Sequence, residues 1–394
     1  MVSPDSLKSL DAKERRIRPV IYVFILFEMV MLLQTTYSNL GTIVTGALSG
    51  LLIMTYLMES HYIKKNSSIV LIFCYAGLLF FSTIFRTNIT SKLFQFFVYV
   101  ILFILLTSLE LNDREARWIL NGFVIASIFY SIMIILYRIN NPTTYIHSRI
   151  VILGSEIDPN YIGLPLIVSF SILFYEVLHQ DKKILKVLEI LILTLAVLLT
   201  SSRGNFLSLA VCVFVNILFF LKSKTLAWYR KLMILVSTII VFAVFYNYAS
   251  SNYNSYLMRI FSFSSDDISN GRYALWNEAF DLLWANPIFG GGYEALGRAV
   301  NKGAHNTYVQ LLCDTGIIGF AIFISFLFVQ IKKSYKHNKC LFIGLIGLLC
   351  HSFFLGAISS RCFWVTLIMI VMIINYEEAG TMESHIYECV YRET

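Results

Sequence analysis

The stretch GRYALWNEAFDLLWANPIFGGGYEALGRAVNKGAHNTYVQLLCDTGIIG, Gly271 to Gly319, is a long polar-bearing passage in a chain that otherwise alternates apolar runs with short loops. Trp276, Ala279, Phe280, Leu283 and Trp284 recur at three- and four-residue intervals, and Asn277, Glu278 and Asp281 fall on the other side. This spacing predicts an amphipathic helix lying on a membrane surface or over a helical bundle. Asn286-Pro287 ends it, and the run Gly290-Gly291-Gly292 lets the chain fold back sharply. His305-Asn306 then stands at the mouth of the next apolar run.

The surroundings of that stretch are those of a membrane. Of 394 residues, 57% are hydrophobic and 14% charged, and the mean hydropathy is +0.71. A water-soluble chain of this length could not cover so much apolar surface, so the sequence reads as an all-α polytopic membrane protein. Twelve apolar runs are expected to cross, near 19–37, 40–58, 67–85, 92–109, 117–137, 160–178, 184–200, 205–221, 231–249, 305–330, 341–358 and 361–376. The layout is a cytoplasmic segment 1–18, spans over 19–249, a large outer loop 250–304, further spans over 305–376 and a cytoplasmic tail 377–394. With the N-terminus inside, roughly two thirds of the 31 Lys and Arg fall in inner segments, which accounts for the net charge of +7 through membrane topology rather than nucleic-acid binding. The basic head of Lys8, Lys13, Arg15, Arg16 and Arg18 leads into a run without a small-residue cleavage site and reads as a retained anchor. The seven cysteines form no CxxC pair, and Cys74, Cys212 and Cys350 lie inside apolar runs, so no disulfide framework is expected.

The outer cations are then informative, because topology does not require them. Arg203 sits in the tight turn TSSRGN, Arg272 opens the predicted helix, and Arg361 lies in the last outer turn, SSRC. Guanidinium groups offer a fixed fork of donors that suits phosphate. Converging on one pocket, these three would clamp a diphosphate and stabilise it as a leaving group; singly, each would reach a lipid headgroup equally well. His305 at the mouth of a span would take a proton from a hydroxyl near neutral pH, or cap a helix start at the interface. Glu28 and His351 lie within spans, and His147 and Arg149 share the first outer loop, which ends in the turn Asp158-Pro159-Asn160. There is no Walker loop, dinucleotide fingerprint or aspartate pair for a nucleotide-sugar metal site, so the energy of any reaction must already reside in the substrate.

These residues resemble a family. His305-Asn306 followed by Gly316-x-x-Gly319 is similar to the histidine motif of the O-antigen ligase and Wzy-type polymerase superfamily. SSRGN around Arg203 resembles its arginine motif, and SNGRYALW with NPIFGGGY resembles the start of its large periplasmic loop. The resemblance implies a C-type glycosyltransferase-like fold with no metal or cofactor, in the bacterial cytoplasmic (inner) membrane, with both termini cytoplasmic and the site on the extracytoplasmic side. It implies a polyprenyl-diphosphate-linked oligosaccharide as donor, membrane lipids as surroundings and a chain-length regulator as a further partner. By motif, His305 would be the general base, and Arg203 and Arg272 would hold the diphosphate; Arg361 joins them through its place in the last outer turn, and Asn306, Tyr293, Asn160 and Arg149 are candidates to line the substrate.

Two members of the superfamily remain open, a polymerase that extends lipid-linked repeats and a ligase that moves the finished glycan to lipid A-core. The Tyr- and Phe-rich chain and the wording SSRGN and NPIFGGGY favour the polymerase. From another class, a lipid-linked glycan transporter would explain many spans and basic pockets, but it predicts internal repeats and gives no reason for a large outer loop before a histidine.

Overall fold

The computed structural model describes residues 16–31, 39–59, 62–86, 90–141, 150–152, 155–179, 184–222 and 272–392. Within them the chain is almost wholly helical. In chain order the helices are α1 Pro19–Met29, α2 Asn39–Glu59, α3 Ser67–Ile84, α4 Ser91–Thr107, α5 Asp113–Asn140, α6 Pro159–His179, α7 Ile184–Leu199 and α8 Arg203–Lys222. They continue with α9 Arg272–Ala285, α10 Ala295–Val300, α11 Thr307–His337, α12 Lys339–His351 and α13 Arg361–Arg392. The expected span 231–249 and the segment 250–271 lie outside the described residues, as do His147 and Arg149.

Six helices are long and apolar enough to cross a membrane: Ser67–Ile84, Asp113–Asn140, Pro159–Leu178, Arg203–Lys222, Thr307–His337 and Arg361–Gly380. Six of the twelve expected crossings thus correspond to such helices among the described residues, and Pro19–Met29, Ile43–Glu59, Ser91–Thr107 and Lys339–His351 are shorter apolar helices beside them. At 1.5 Å per residue, the 11 residues of α1 rise only about 16 Å, half of a hydrocarbon core. Expected span 341–358 ends early, at His351, because the following turn is claimed by the start of α11. There the Thr307 amide donates to Ser352 O (2.8 Å), its hydroxyl donates to Leu355 O (2.6 Å), and the Ala357 amide donates back to that hydroxyl (2.9 Å). Helix α13 runs on through 376 without a break.

Helix starts are fixed by side chains that replace water for the first free amides. Asn66, Thr90 and Asn338 cap α3, α4 and α12, and Asn112 forms a capping box with Glu115 at α5. Large apolar side chains such as Phe73, Phe80 and Phe94 stay exposed along α3 and α4, as expected of surfaces solvated by lipid. Inside, Tyr75, Phe96, Phe103, Phe323 and Trp364 form an aromatic core joining α3, α4, α11 and α13.

The two ends of the bundle carry different chemistry. At one end Arg18 pairs with Glu115 (2.7 Å), Lys64 with Glu110 (3.1 Å) and Lys333 with Glu378 (2.6 Å). The opposite end gathers the Asp158 turn, the Arg203 turn, His305 and the loop 286–294. A small antiparallel hairpin at this end, Ile150–Ile152 with Ser155–Ile157, was not expected from the sequence. It buries Ile150, Ile152 and Ile157 completely and so fixes the position of the next residue, Asp158.

Candidate active site

The chain reaches His305 through a short tight passage. Asn301 (φ 53°) and His305 (φ 47°) both take the left-handed conformation that side chains other than glycine rarely adopt. Trp276 of α9 donates its indole N–H to Ala304 O (3.0 Å) and holds the turn in place. Asn306 is buried, and its Oδ1 accepts the amides of Tyr308 (2.9 Å) and Val309 (3.1 Å) as the cap of α11. Its Oδ1 is thus committed to the helix start. His305 itself is open to solvent on one side but crowded on the other. Burial first, and then the positive charge of Arg272, hold its imidazole below the usual histidine range, while the Asp158 carboxylate opposes them.

Asp158 belongs to a turn knotted to the one bearing Arg203. Asp158 Oδ1 accepts the backbone amide (2.8 Å) and the side-chain amide (2.9 Å) of Asn160. Asn160 Oδ1 accepts the Ser202 hydroxyl (2.7 Å), and Asn160 O lies 2.6 Å from His351 Nε2. Asn205 donates to Pro159 O (2.8 Å) and to the Thr200 hydroxyl (2.9 Å). Gly163 makes this closeness possible, since a Cβ there would lie 1.9 Å from Asn205 Oδ1. Arg203, half-buried, is the first residue of α8 in this assembly. His351 is a fully buried strut between α12 and the Asp158 turn.

The glycine run forms a wedge in α11. Gly316 (φ 63°, ψ −165°) interrupts that helix, and the backbone groups freed there pair with 287–292. Gly291 N donates to Cys313 O (2.7 Å), Gly292 N to Asp314 O (2.9 Å) and Ile317 N to Pro287 O (2.9 Å). Asp314 Oδ1 accepts the amide of Ala295. The two glycine motifs of the sequence are thus halves of one joint.

The other sequence candidates lie in different settings. Tyr293 is only 2% exposed, with its ring 5.9 Å from that of Phe96 and its amide on the Thr83 hydroxyl; this is a core position rather than an open wall. Arg361 is buried at the start of α13, within hydrogen-bonding reach of the Tyr99 hydroxyl and 3.4 Å from Val30 O. Lys92 pairs with Glu294 (3.0 Å). His305 thus lies within electrostatic reach of Arg272 and Asp158, and the Asp158-Pro159-Asn160 turn is hydrogen-bonded to the turn that bears Arg203. Arg361 sits below in the bundle. Asp158 was visible in the sequence only as a turn former, and nothing in its spacing links it to His305.

This arrangement puts an imidazole in the field of one guanidinium and one carboxylate, with a second guanidinium on the adjoining turn. Residues 188–324 match the Wzy_C family model, described as O-antigen ligase. Over these residues the chain is similar to the O-antigen ligase family. No curated protein matches the chain. The matched stretch begins in α7 and ends in α11, so it contains Arg203, Arg272, the wedge 286–294 and His305. Asp158 and Arg361 fall outside it. The match supports the class of membrane enzymes that polymerise or ligate lipid-linked glycans.

Proposed function

We propose that the chain is a polymerase of lipid-linked polysaccharide repeat units, of O-antigen or capsular type. It transfers a glycan from polyprenyl diphosphate to a sugar hydroxyl of another lipid-linked repeat at the outer face of the bacterial cytoplasmic membrane. The reading is carried by the joint influence of Arg272 and Asp158 on His305 at one end of the bundle. His305 removes the proton of the acceptor hydroxyl as its oxygen attacks the anomeric carbon. The bond to the diphosphate oxygen breaks on the opposite side, and Arg272 and Arg203 receive the leaving charge. A single in-line displacement inverts the anomeric carbon. Asp158 stabilises the imidazolium once it forms. A chain-length regulator as partner and both termini in the cytoplasm belong to the same proposal.

The similarity of residues 188–324 to the O-antigen ligase family keeps the ligase reading in view, and the choice of acceptor separates the two. Purified protein given a lipid-linked repeat as its sole glycan yields a ladder if it is a polymerase. Product only on added lipid A-core would make it a ligase.

The state of His305 sets the pH dependence. A base works when neutral, so transfer is constant at neutral pH and falls as pH drops through the folded pKa of the ring. Because burial and Arg272 lower that pKa, the acidic limb of the kcat/KM profile is expected below the free-histidine value of about 6.5. A limb above that value would remove His305 as the base. Asn306→Ala, which strips the cap of α11, is expected to cost about 1–2 kcal/mol of stability. Folded protein should keep its kcat, as checked by thermal unfolding beside the transfer assay.

A further inference from the structure

Helix α9 presents three sectors at 100° per residue. Ala279 and Leu283 are buried, with Trp276 half-buried beside them, and this sector packs on α11, where the Cys313 thiol donates to Ala279 O (3.1 Å). Glu278 and Asp281, both exposed, lie on the far side. Between the two runs a stripe of Tyr273, Phe280 and Trp284, all exposed, with Trp284 at 73%. The stripe continues past the helix end into exposed Ile288 and Phe289. The Phe289 ring lies 6.2 Å from Phe81, and Phe81 lies 4.6 Å from Phe85, at the end of α3. Exposed Ile317 and Ile318 adjoin it, since their amides donate to Pro287 O and Ile288 O. This apolar surface runs unbroken into the exposed side of α3, a helix long and apolar enough to span.

We infer that this aromatic stripe is seated in the lipid leaflet on the His305 side, so that α9 is a membrane-embedded wall of the site rather than a cap in water. Three observations favour lipid as the occupant. The stripe is continuous with the lipid-solvated face of a span. It is built of Tyr, Trp and Phe, the side chains that settle at the membrane–water interface. The carboxylates of the same helix lie on the sector turned away from both bundle and stripe, where water is. Arg272 shares the bundle-facing side of α9 and is thereby held at headgroup depth. On the function proposed above, a diphosphate still anchored by its lipid tail meets that guanidinium without leaving the membrane.

The test needs no catalysis, so its failure and that of the proposed function are separable. The protein and its Trp284→Phe variant, which keeps the fold and the apolar stripe, are reconstituted in vesicles of ordinary phosphatidylcholine or of phosphatidylcholine brominated high on the acyl chain. The emission that differs between the two proteins reports Trp284. Seated in lipid, that emission is quenched in brominated vesicles and is insensitive to aqueous iodide. Quenching by iodide with none by bromine would place the stripe in water and overturn the inference. Protection from both quenchers, growing with protein-to-lipid ratio, would assign the stripe to a second copy of the chain and overturn it equally.

Discussion

His305→Ala is expected to lower glycan transfer by roughly 10²- to 10⁴-fold, the range spanned by removal of a positioned general base. The chain should still fold in the membrane. The side chain is open on one side and caps nothing, since the cap of α11 is Asn306. Alanine also removes a bulky side chain from a left-handed position without a new contact. Ladder formation with the purified variant, beside a thermal unfolding curve, checks both halves. Near-normal ladders from folded His305→Ala protein would remove the histidine from the chemistry.

The second large effect is on folding. Gly316→Val is expected to destabilise the protein severely, because the position combines a left-handed backbone with no room for a side chain. A Cβ there would lie 2.5 Å from Ile288 O and 2.7 Å from Gly290 N, both backbone atoms that cannot swing away. The left-handed backbone alone costs about 1–3 kcal/mol. Relief of the clash must then undock 287–292 from α11, losing the hydrogen bonds that the Gly291 and Gly292 amides donate to Cys313 O and Asp314 O. Gly297→Ala, where the nearest atom to the new Cβ is 3.7 Å away, serves as the neutral control. Midpoints of unfolding in detergent measure the difference, and equal midpoints would mean that the wedge is not a structural joint.

Much of the helical layout was legible because apolar runs and their polar caps are local signals. The stop of α9 at Ala285 before Asn286-Pro287, and the start of α11 after His305-Asn306, follow from neighbours in sequence. What escaped was set by partners far along the chain. Gly316 reads as one more helix residue, and only the docked 287–292 segment reveals the interruption it makes. The run 341–358 is apolar enough to continue, but Thr307 captures its last turn. Three-residue strands around 150–157 are too short to show a period. Trp276 and Trp284 read as one apolar face, whereas one turns to protein and the other is exposed. Arg361 looked equivalent to Arg203 from its place in an outer turn, and only packing reveals it beneath the surface against Val30 and Tyr99.

In the proposed site two opposite charges act on one imidazole, and the acidic limb of the transfer rate measures that directly. Asp158→Asn removes the charge that favours the imidazolium, so the limb should move to lower pH. Arg272→Gln removes the charge that opposes it, so the limb should move to higher pH, whatever happens to the maximal rate. Limbs that stay with the wild type in both variants would contradict the claim that His305, Arg272 and Asp158 form one site.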